Sequence, residues 1–421
     1  MWFPLTYRGG MKRILFVDDE SNILDGIRRM LRGDRSRWDM HFAIGGEAAL
    51  QACEANSFDI VISDMRMPGM DGATLLSHIR DRSPETVRCI LSGYSEVELS
   101  VRAIPVAHRV LTKPFKGTEL QSTIERICTL QDVLCTPQLR KIMGAIGALP
   151  SLSTTYLALT HAVQDPSTHV QAVAHIIEQD VAMAAKVLQL VNGAFFGLAQ
   201  KVTNLDHAVQ FLGMETIKNL ALASETFRVF AAASHVPESA YESIQAHAQR
   251  TVSIAGLLPV DRGSRDILVV SALLHDIGEL VLANKMPEVF CAARSTAKEE
   301  GSKSFEAEER LLGISHAEIG AYLLGLWGID NLVVEAIAHH HHPTRIPHAG
   351  FDCSVAVYVA DLLAHELEDC PDNADRRELD SSDQACLESL GALQLFTETR
   401  ERAFQLLKSD QSPHEQVRCA L

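Results

Sequence analysis

The chain has 421 residues, 47% of them hydrophobic, which is enough for two or three domains with ordinary cores and argues against a disordered protein. Lys and Arg number 38 against 54 Asp and Glu, a formal charge of -16, and no basic run interrupts it, so direct DNA binding through a broad electrostatic face is not expected. Nine scattered cysteines without a CxxC pair, an opening "MWFPLTYRGG" with no apolar signal core, and no apolar run near the roughly 20 residues of a membrane span predict a soluble, cytoplasmic chain without disulfides or membrane contact.

Residues 1–10 read as an extension, because "MKRILFVDDE" begins afresh at Met11. "RILFVDD" is a β-branched and apolar run that ends in two aspartates, the pattern of a buried parallel strand with acids at its carboxyl end. "MHFAI", "DIVISD", "VRCILSG" and "HRVLTKP" repeat the pattern, each followed by a helix-like stretch such as "SNILDGIRRMLR" or "GEAALQACEA". Five strands alternating with helices predict an α/β, doubly wound parallel sheet with ligands outside the carboxyl ends of its strands. Asp18, Asp19, Asp64, Ser92 and Lys113 all stand at such ends.

Converging carboxylates call for a hard cation, and Mg²⁺ suits oxygen donors with water completing the shell. One carboxylate can then act as nucleophile toward a phosphoryl group while the metal and a lysine neutralise charge, and Asp64 is the best candidate. The alternative, helix N-caps, suits Asp19 or Ser95 but leaves Lys113 and Pro114 at the end of the fifth strand unexplained. With "VDDE", "SDMRMPGMDG", "LSGYS" and "LTKPF" in order, residues 11–130 resemble the flavodoxin-like receiver domain of bacterial response regulators. The resemblance implies that Asp64 accepts phosphate from a sensor histidine kinase and that Asp18, Asp19, Asp64 and the carbonyl of Arg66 hold Mg²⁺. It also implies that Ser92 and Lys113 contact the phosphoryl group. Val110 departs from the pattern where many receivers carry an aromatic switch residue.

Apolar residues at Leu120, Ile124, Ile127, Leu130 and Leu134 keep helical spacing beyond the receiver, and Pro137 and Pro150 punctuate a helical connector over 131–148. The rest lacks strand signals and reads as an all-α domain over 149–366, followed at 367–421 by the charged loop "EDCPDNADRRELDSSDQ" and a last helix. Within it, "ALLHDIGELVL" sets His275 and Asp276 side by side in an apolar helix, where a buried aspartate needs a partner. His247, His316, His340, His341 and Asp361 are further candidate ligands. Imidazoles with a bridging carboxylate suit Fe, Mn, Zn or Ni, and water on such a metal can attack a phosphoester.

"LPSLS", "DVAMAAKVLQLVNGAFFG", "VTNLDHAVQFLG", "LLHDIGEL", "SHAEIGAYLLGLW" and "AIAHHHHP" resemble the HDOD module, the signal-output relative of the HD metal-dependent phosphohydrolases. Small departures are Val181, where the family often has proline, and Gly193, where serine commonly follows the asparagine. The HD ligand order implies His247, His275, Asp276 and Asp361 at one metal, with Asp276 bridging to His316, His340 and His341. His339 and His342 are then exposed neighbours. Glu279 stands in the place of a phosphate-attracting lysine, and "PTRIPHAG" replaces the GYP motif of the enzymes that cleave cyclic-di-GMP. The reading is therefore a two-component response regulator in which phosphorylation of Asp64 controls an HD-like output that acts as a protein-interaction module on an unidentified downstream partner. A homodimer is compatible with it. The rival is a metal-dependent phosphohydrolase.

Overall fold

The computed structural model describes residues 11–93, 106–133, 137–144, 169–181, 184–185, 188, 202–210, 238–326, 329–348, 350–369 and 379–418. Residues 1–10, "LPSLS", Gly193 and 370–378 of the charged loop lie outside them, as does the side chain of Val110. The chain divides into two units, one of Met1–Ser234, Glu309–Ile314 and Tyr322–Asp330, the other of His235–Glu308, Ser315–Ala321 and Asn331–Leu421.

In the first unit the apolar runs become strands β1 (Lys12–Asp18), β2 (Trp38–Ile44), β3 (Ile60–Asp64), β4 (Val87–Gly93) and β5 (Arg109–Lys113). They form one parallel sheet in the order β2-β1-β3-β4-β5. All five residues of β3 are buried, as expected for a strand covered on both faces. The register pairs Asp18 with Ile44, Asp64 with Leu91 and Gly93 with Lys113, so the polar carboxyl ends share one edge. Helices α1 (Ser21–Met30), α2 (Gly46–Ala55) and α3 (Gly72–Arg82) connect the strands. Asp71 caps α3 by accepting from the Thr74 amide at 2.8 Å. Gly72 lets that helix start beneath β3, since a Cβ there would sit 2.2 Å from the Asp64 carbonyl oxygen.

Of the stretch 131–148, residues 131–133 and 137–144 are described, and both pieces are helical. Helix α4 (Gly117–Val133) buries Leu120, Ile124, Ile127 and Leu130, and α5 spans Pro137–Gly144. At the amino end of the sheet, Lys12 Nζ pairs with Asp132 at 3.0 Å and Gln131 donates to the Asp59 carbonyl at 3.1 Å. Arg88, wholly buried, donates to the carbonyls of Val106 at 2.7 Å, Thr86 at 2.9 Å, Pro84 at 3.2 Å and Gly144 at 2.7 Å. A buried guanidinium is tolerable because these acceptors replace its hydration.

Helix α6 (Val170–Glu178) also belongs to the first unit. The second unit contains α7 (Glu238–Ala255), α8 (Arg262–Leu274), α9 (Ile277–Lys285), α10 (Pro287–Glu300), most of α11 (Ser304–Leu312), the start of α12 (His316–Leu326), α13 (Asn331–Ala338), α14 (Cys353–Asp369), α15 (Ser381–Ser389) and α16 (Leu393–Arg418). Helix α14 buries Val355 through Ala360 without a break and packs with Ile254, Leu268, Leu387 and Phe396 of its neighbours. A helix apolar on nearly every side is a core helix, and its few polar positions mark a site. Among the described residues no helix is long and apolar enough to cross a membrane.

Candidate functional site

The acidic sheet edge brings Asp18 and Asp64 onto one lysine. Lys113 Nζ, on β5, lies 2.6 Å from Asp64 Oδ1 and 2.7 Å from Asp18 Oδ2. The remaining oxygens are held by the main chain: the Glu20 amide donates to Asp18 Oδ1 at 2.9 Å and the Arg66 amide to Asp64 Oδ2 at 2.8 Å. Burial pushes the Asp64 carboxyl up, against the pull of Lys113. Burial opposes charge on Lys113 too, but Asp18 and Asp64 raise it on balance. Ser92 is buried at the end of β4, Asp19 is half-buried and the Arg66 side chain is exposed. Buried Asp18 and Asp64, with Asp19 next to Asp18 in sequence, set up to three negative charges against one lysine, and that excess fits a divalent, oxygen-seeking cation.

The second cluster forms where helices α7, α8, α9, α12 and α14 meet the turn after α13. His275 and Asp276 do not lie inside one helix as expected: His275 ends α8 and Asp276 precedes α9, with its backbone at φ -96° and ψ 14°. This break brings both side chains inward. Gly278 allows α9 to cross the start of α12, since a Cβ there would lie 1.9 Å from the His316 carbonyl oxygen.

Asp276 divides its oxygens between two sets of imidazoles. Its Oδ2 faces His275 Nε2 at 3.2 Å and His247 Nε2 at 3.6 Å, while Oδ1 faces His316 Nε2 at 3.2 Å and His340 Nε2 at 3.5 Å. Asp361, on α14, stands 2.9 Å from His247 Nε2 and 3.4 Å from His275 Nε2. His341 Nε2 lies 2.8 Å from His316 Nε2, and its ring stacks on Phe305 with centroids 4.1 Å apart.

Behind the rings, four of the five Nδ1 atoms meet an acceptor among the described residues, and that of His341 lies 3.9 Å from Asp361 Oδ2. Nδ1 of His275 meets the Ala272 carbonyl at 2.8 Å, that of His340 the Ile337 carbonyl at 2.7 Å, that of His316 Glu308 at 2.7 Å and that of His247 Glu368 at 3.1 Å. Backing of Nδ1 by a carbonyl or carboxylate is how proteins aim Nε2 at a metal. The buried Nε2 atoms of His275 and His340 have no hydrogen-bond partner among the described residues. Buried imidazole nitrogens crowded on shared carboxylates without a well-directed hydrogen bond fit a borderline divalent metal.

Burial opposes protonation of His275, but Asp276 and Asp361 outweigh it and hold the ring up to about 9. His247 and His316 are likewise raised against burial by their carboxylate partners, among them Asp361 and Glu368 for the first and Glu308 and Asp276 for the second. Burial holds the pKa of His340 and of His341 down.

Residues 14–125 match the family model of the response regulator receiver domain, and residues 149–343 match that of the HDOD domain. The chain is a receiver followed by an HDOD domain. An uncharacterized protein of Treponema pallidum (strain Nichols) is 26% identical over 238 residues, which cover 55% of this chain and 45% of that protein. The regulatory protein AtoC of Escherichia coli (strain K12) is 35% identical over 126 residues, 29% of this chain and 26% of its own length. Among solved structures, the signal receiver domain of an HD domain-containing protein from Pseudomonas fluorescens Pf-5 aligns with a TM-score of 0.29 at 30% identity, covering 31% of this chain and 96% of that one. The chain spans less than half the length of those two full-length relatives.

In the HDOD domain two expectations need correction. The helix before the histidine run stops at Ala338, where the ring of His340 takes the Ile337 carbonyl that another turn would have offered to the amide of residue 341. His339 is buried, not exposed, and burial pushes its pKa down to about 4. His342 is half-buried. Glu279 is buried on the first turn of α9, and burial followed by Asp276 raises its carboxyl.

Four participants were not foreseen. Glu308 is fully buried and accepts from both the amide and the ring of His316; Glu368 backs His247; Arg250 pairs with Glu368; His365 stacks on His247 with ring centroids 4.2 Å apart. Asp361, His365 and Glu368 recur at four and three residues on α14, a spacing that places them on one stripe.

Proposed function

We propose that the protein is a two-component response regulator in which a sensor histidine kinase phosphorylates Asp64 and the HDOD domain passes the signal to a protein partner. The observation that carries the first half is the contact of one lysine, Lys113, with both Asp64 and Asp18. Asp18, Asp19, Asp64 and the carbonyl of Arg66 would hold Mg²⁺, which when bound neutralises charge on the arriving phosphoryl group. Asp64 supplies the attacking oxygen, Lys113 orients it, and Ser92 at the end of β4 completes the phosphate contacts. Mg²⁺-dependent labelling by a small phosphodonor, absent in Asp64→Ala, tests this; equal labelling of the variant defeats the assignment.

For the output, His247, His275, Asp276 and Asp361 would hold one ion and Asp276, His316, His340 and His341 a second, drawn from Fe, Mn, Zn or Ni. The division of the Asp276 oxygens supports a bridged pair. Such a centre would supply Lewis acidity if open to substrate, which keeps a phosphohydrolase as the second reading. Metal analysis of untagged protein decides the metal question: less than about a tenth of an equivalent sinks the hydrolase. Phosphodiester hydrolysis lost in both His275→Ala and Asp276→Ala would sink an interaction-only role.

A further inference from the structure

Helix α14 carries Asp361, His365 and Glu368 along a stripe that runs from the interior to solvent, with side chains 3%, 56% and 31% exposed. His365 Nε2 lies 3.4 Å from Asp361 Oδ1, the same oxygen that faces His247 Nε2 at 2.9 Å and His275 Nε2 at 3.4 Å. The His365 ring stacks on His247 at an interplanar angle of 29°. Its Nδ1 is 3.6 Å from Glu368 Oε2, while Oε1 of the same carboxylate meets His247 Nδ1 at 3.1 Å. Arg250 pairs with Glu368 from the other side.

An exposed histidine four residues after an aspartate is by itself an ordinary helix-surface pair. Two features set His365 apart. It repeats the construction of the buried ligands, Nδ1 toward a carboxylate and Nε2 toward the acid at the centre. It also shares its backing carboxylate with one of those ligands, so a single anchored group fixes the direction of both rings.

We infer that His365 is a further protein ligand to the metal position formed by His247, His275, Asp276 and Asp361, and that it caps this position on its solvent side. The inference rests on the metal-centre reading given under Proposed function. The ion it fits is a borderline divalent cation that accepts several imidazoles together with carboxylates. A metal that activates water keeps a coordination place open, whereas a structural or signalling metal is closed by protein. With three imidazoles and two carboxylates around it, this position turns an imidazole toward solvent where a phosphoester would otherwise approach.

The test uses full-length, untagged protein stripped of metal and titrated with Co²⁺, with affinity measured by chelator competition and coordination by visible absorption. Inorganic phosphate serves as the probe for an open place. Wild type is expected to bind Co²⁺ with an absorption band indifferent to millimolar phosphate. His365→Ala and His365→Gln are expected to bind the same number of ions, one of them about 10-fold or more weaker, with a band that phosphate shifts. Unchanged affinity and band in both variants, or a wild-type band that responds to phosphate as theirs do, overturns the cap while leaving the metal centre standing. A wild type that takes up no Co²⁺ overturns both readings. His365 is exposed, and far-ultraviolet dichroism of both variants checks that the fold is retained.

Discussion

Gly278 lies so close to His316 that a methyl group on its α-carbon would sit 1.9 Å from the His316 carbonyl oxygen. The glycine of "HDIG" thus serves helix crossing, holding the start of α12, and with it His316, against Asp276. Gly278→Ala should destabilise the helical unit by about 1–3 kcal/mol. Hydrogen exchange should quicken in α9 and α12, metal content should fall, and phosphodonor labelling of Asp64 should be retained. Wild-type exchange in α9 would show that the crossing tolerates the methyl group.

Because Asp276 faces both sets of imidazoles, its loss should differ from the loss of a ligand on one side. Asp276→Asn should lower metal content at both positions, whereas His340→Ala should spare the position of His247 and His275. Metal analysis after dialysis reads this directly. Chelation of wild type at about 100 times Kd of free metal should lower the stability of the helical unit by about 2.7 kcal/mol.

Glu308 is not among the ligands proposed for either metal position, yet it accepts from both the amide and the ring of His316. Glu308→Gln should weaken binding at the His316 position by about 10- to 100-fold and leave secondary structure unchanged. Equal affinity in chelator competition would make Glu308 a packing residue only.

In the receiver, Lys113→Ala removes the cation facing Asp18 and Asp64. Labelling by a small phosphodonor should slow by on the order of 10²-fold, while Asp64→Ala should not label at all. Time courses with and without Mg²⁺ separate the two.

The receiver was legible because its signals are local: each strand is a continuous apolar run, and the acid, serine or lysine at its end identifies the working edge. In the helical domain the ligands could be ordered from motifs, but their setting could not. Periodicity reads straight through "ALLHDIGELVL", since its one glycine, Gly278, follows the break at Asp276 instead of marking it. Four identical histidines carry no sign of which point inward, and His339 was placed outside although it is buried. The groups behind the ligands were the least visible, for Glu368 backs a histidine 121 residues away and Glu308 belongs to an ordinary charged helix stretch, "EAEERLL".

Arg88→Met would leave the carbonyls of Val106, Thr86 and Gly144 buried without that donor, at a cost of at least about 3 kcal/mol. Faster hydrogen exchange in β4 and β5 would register it; unchanged exchange would mean that other donors replace the guanidinium.

Among the described residues, the Arg88 side chain meets peptide oxygens apart from its contact with the His108 ring at 3.1 Å, and that ring itself reaches the Gly144 carbonyl at 3.1 Å. Every amino acid supplies that oxygen. Apart from His108, the loops that meet at the amino end of the sheet can therefore exchange side chains and keep their grip on α5, provided the backbone holds its course. Evolutionary drift elsewhere in those loops would leave the junction intact so long as one arginine and one histidine stay.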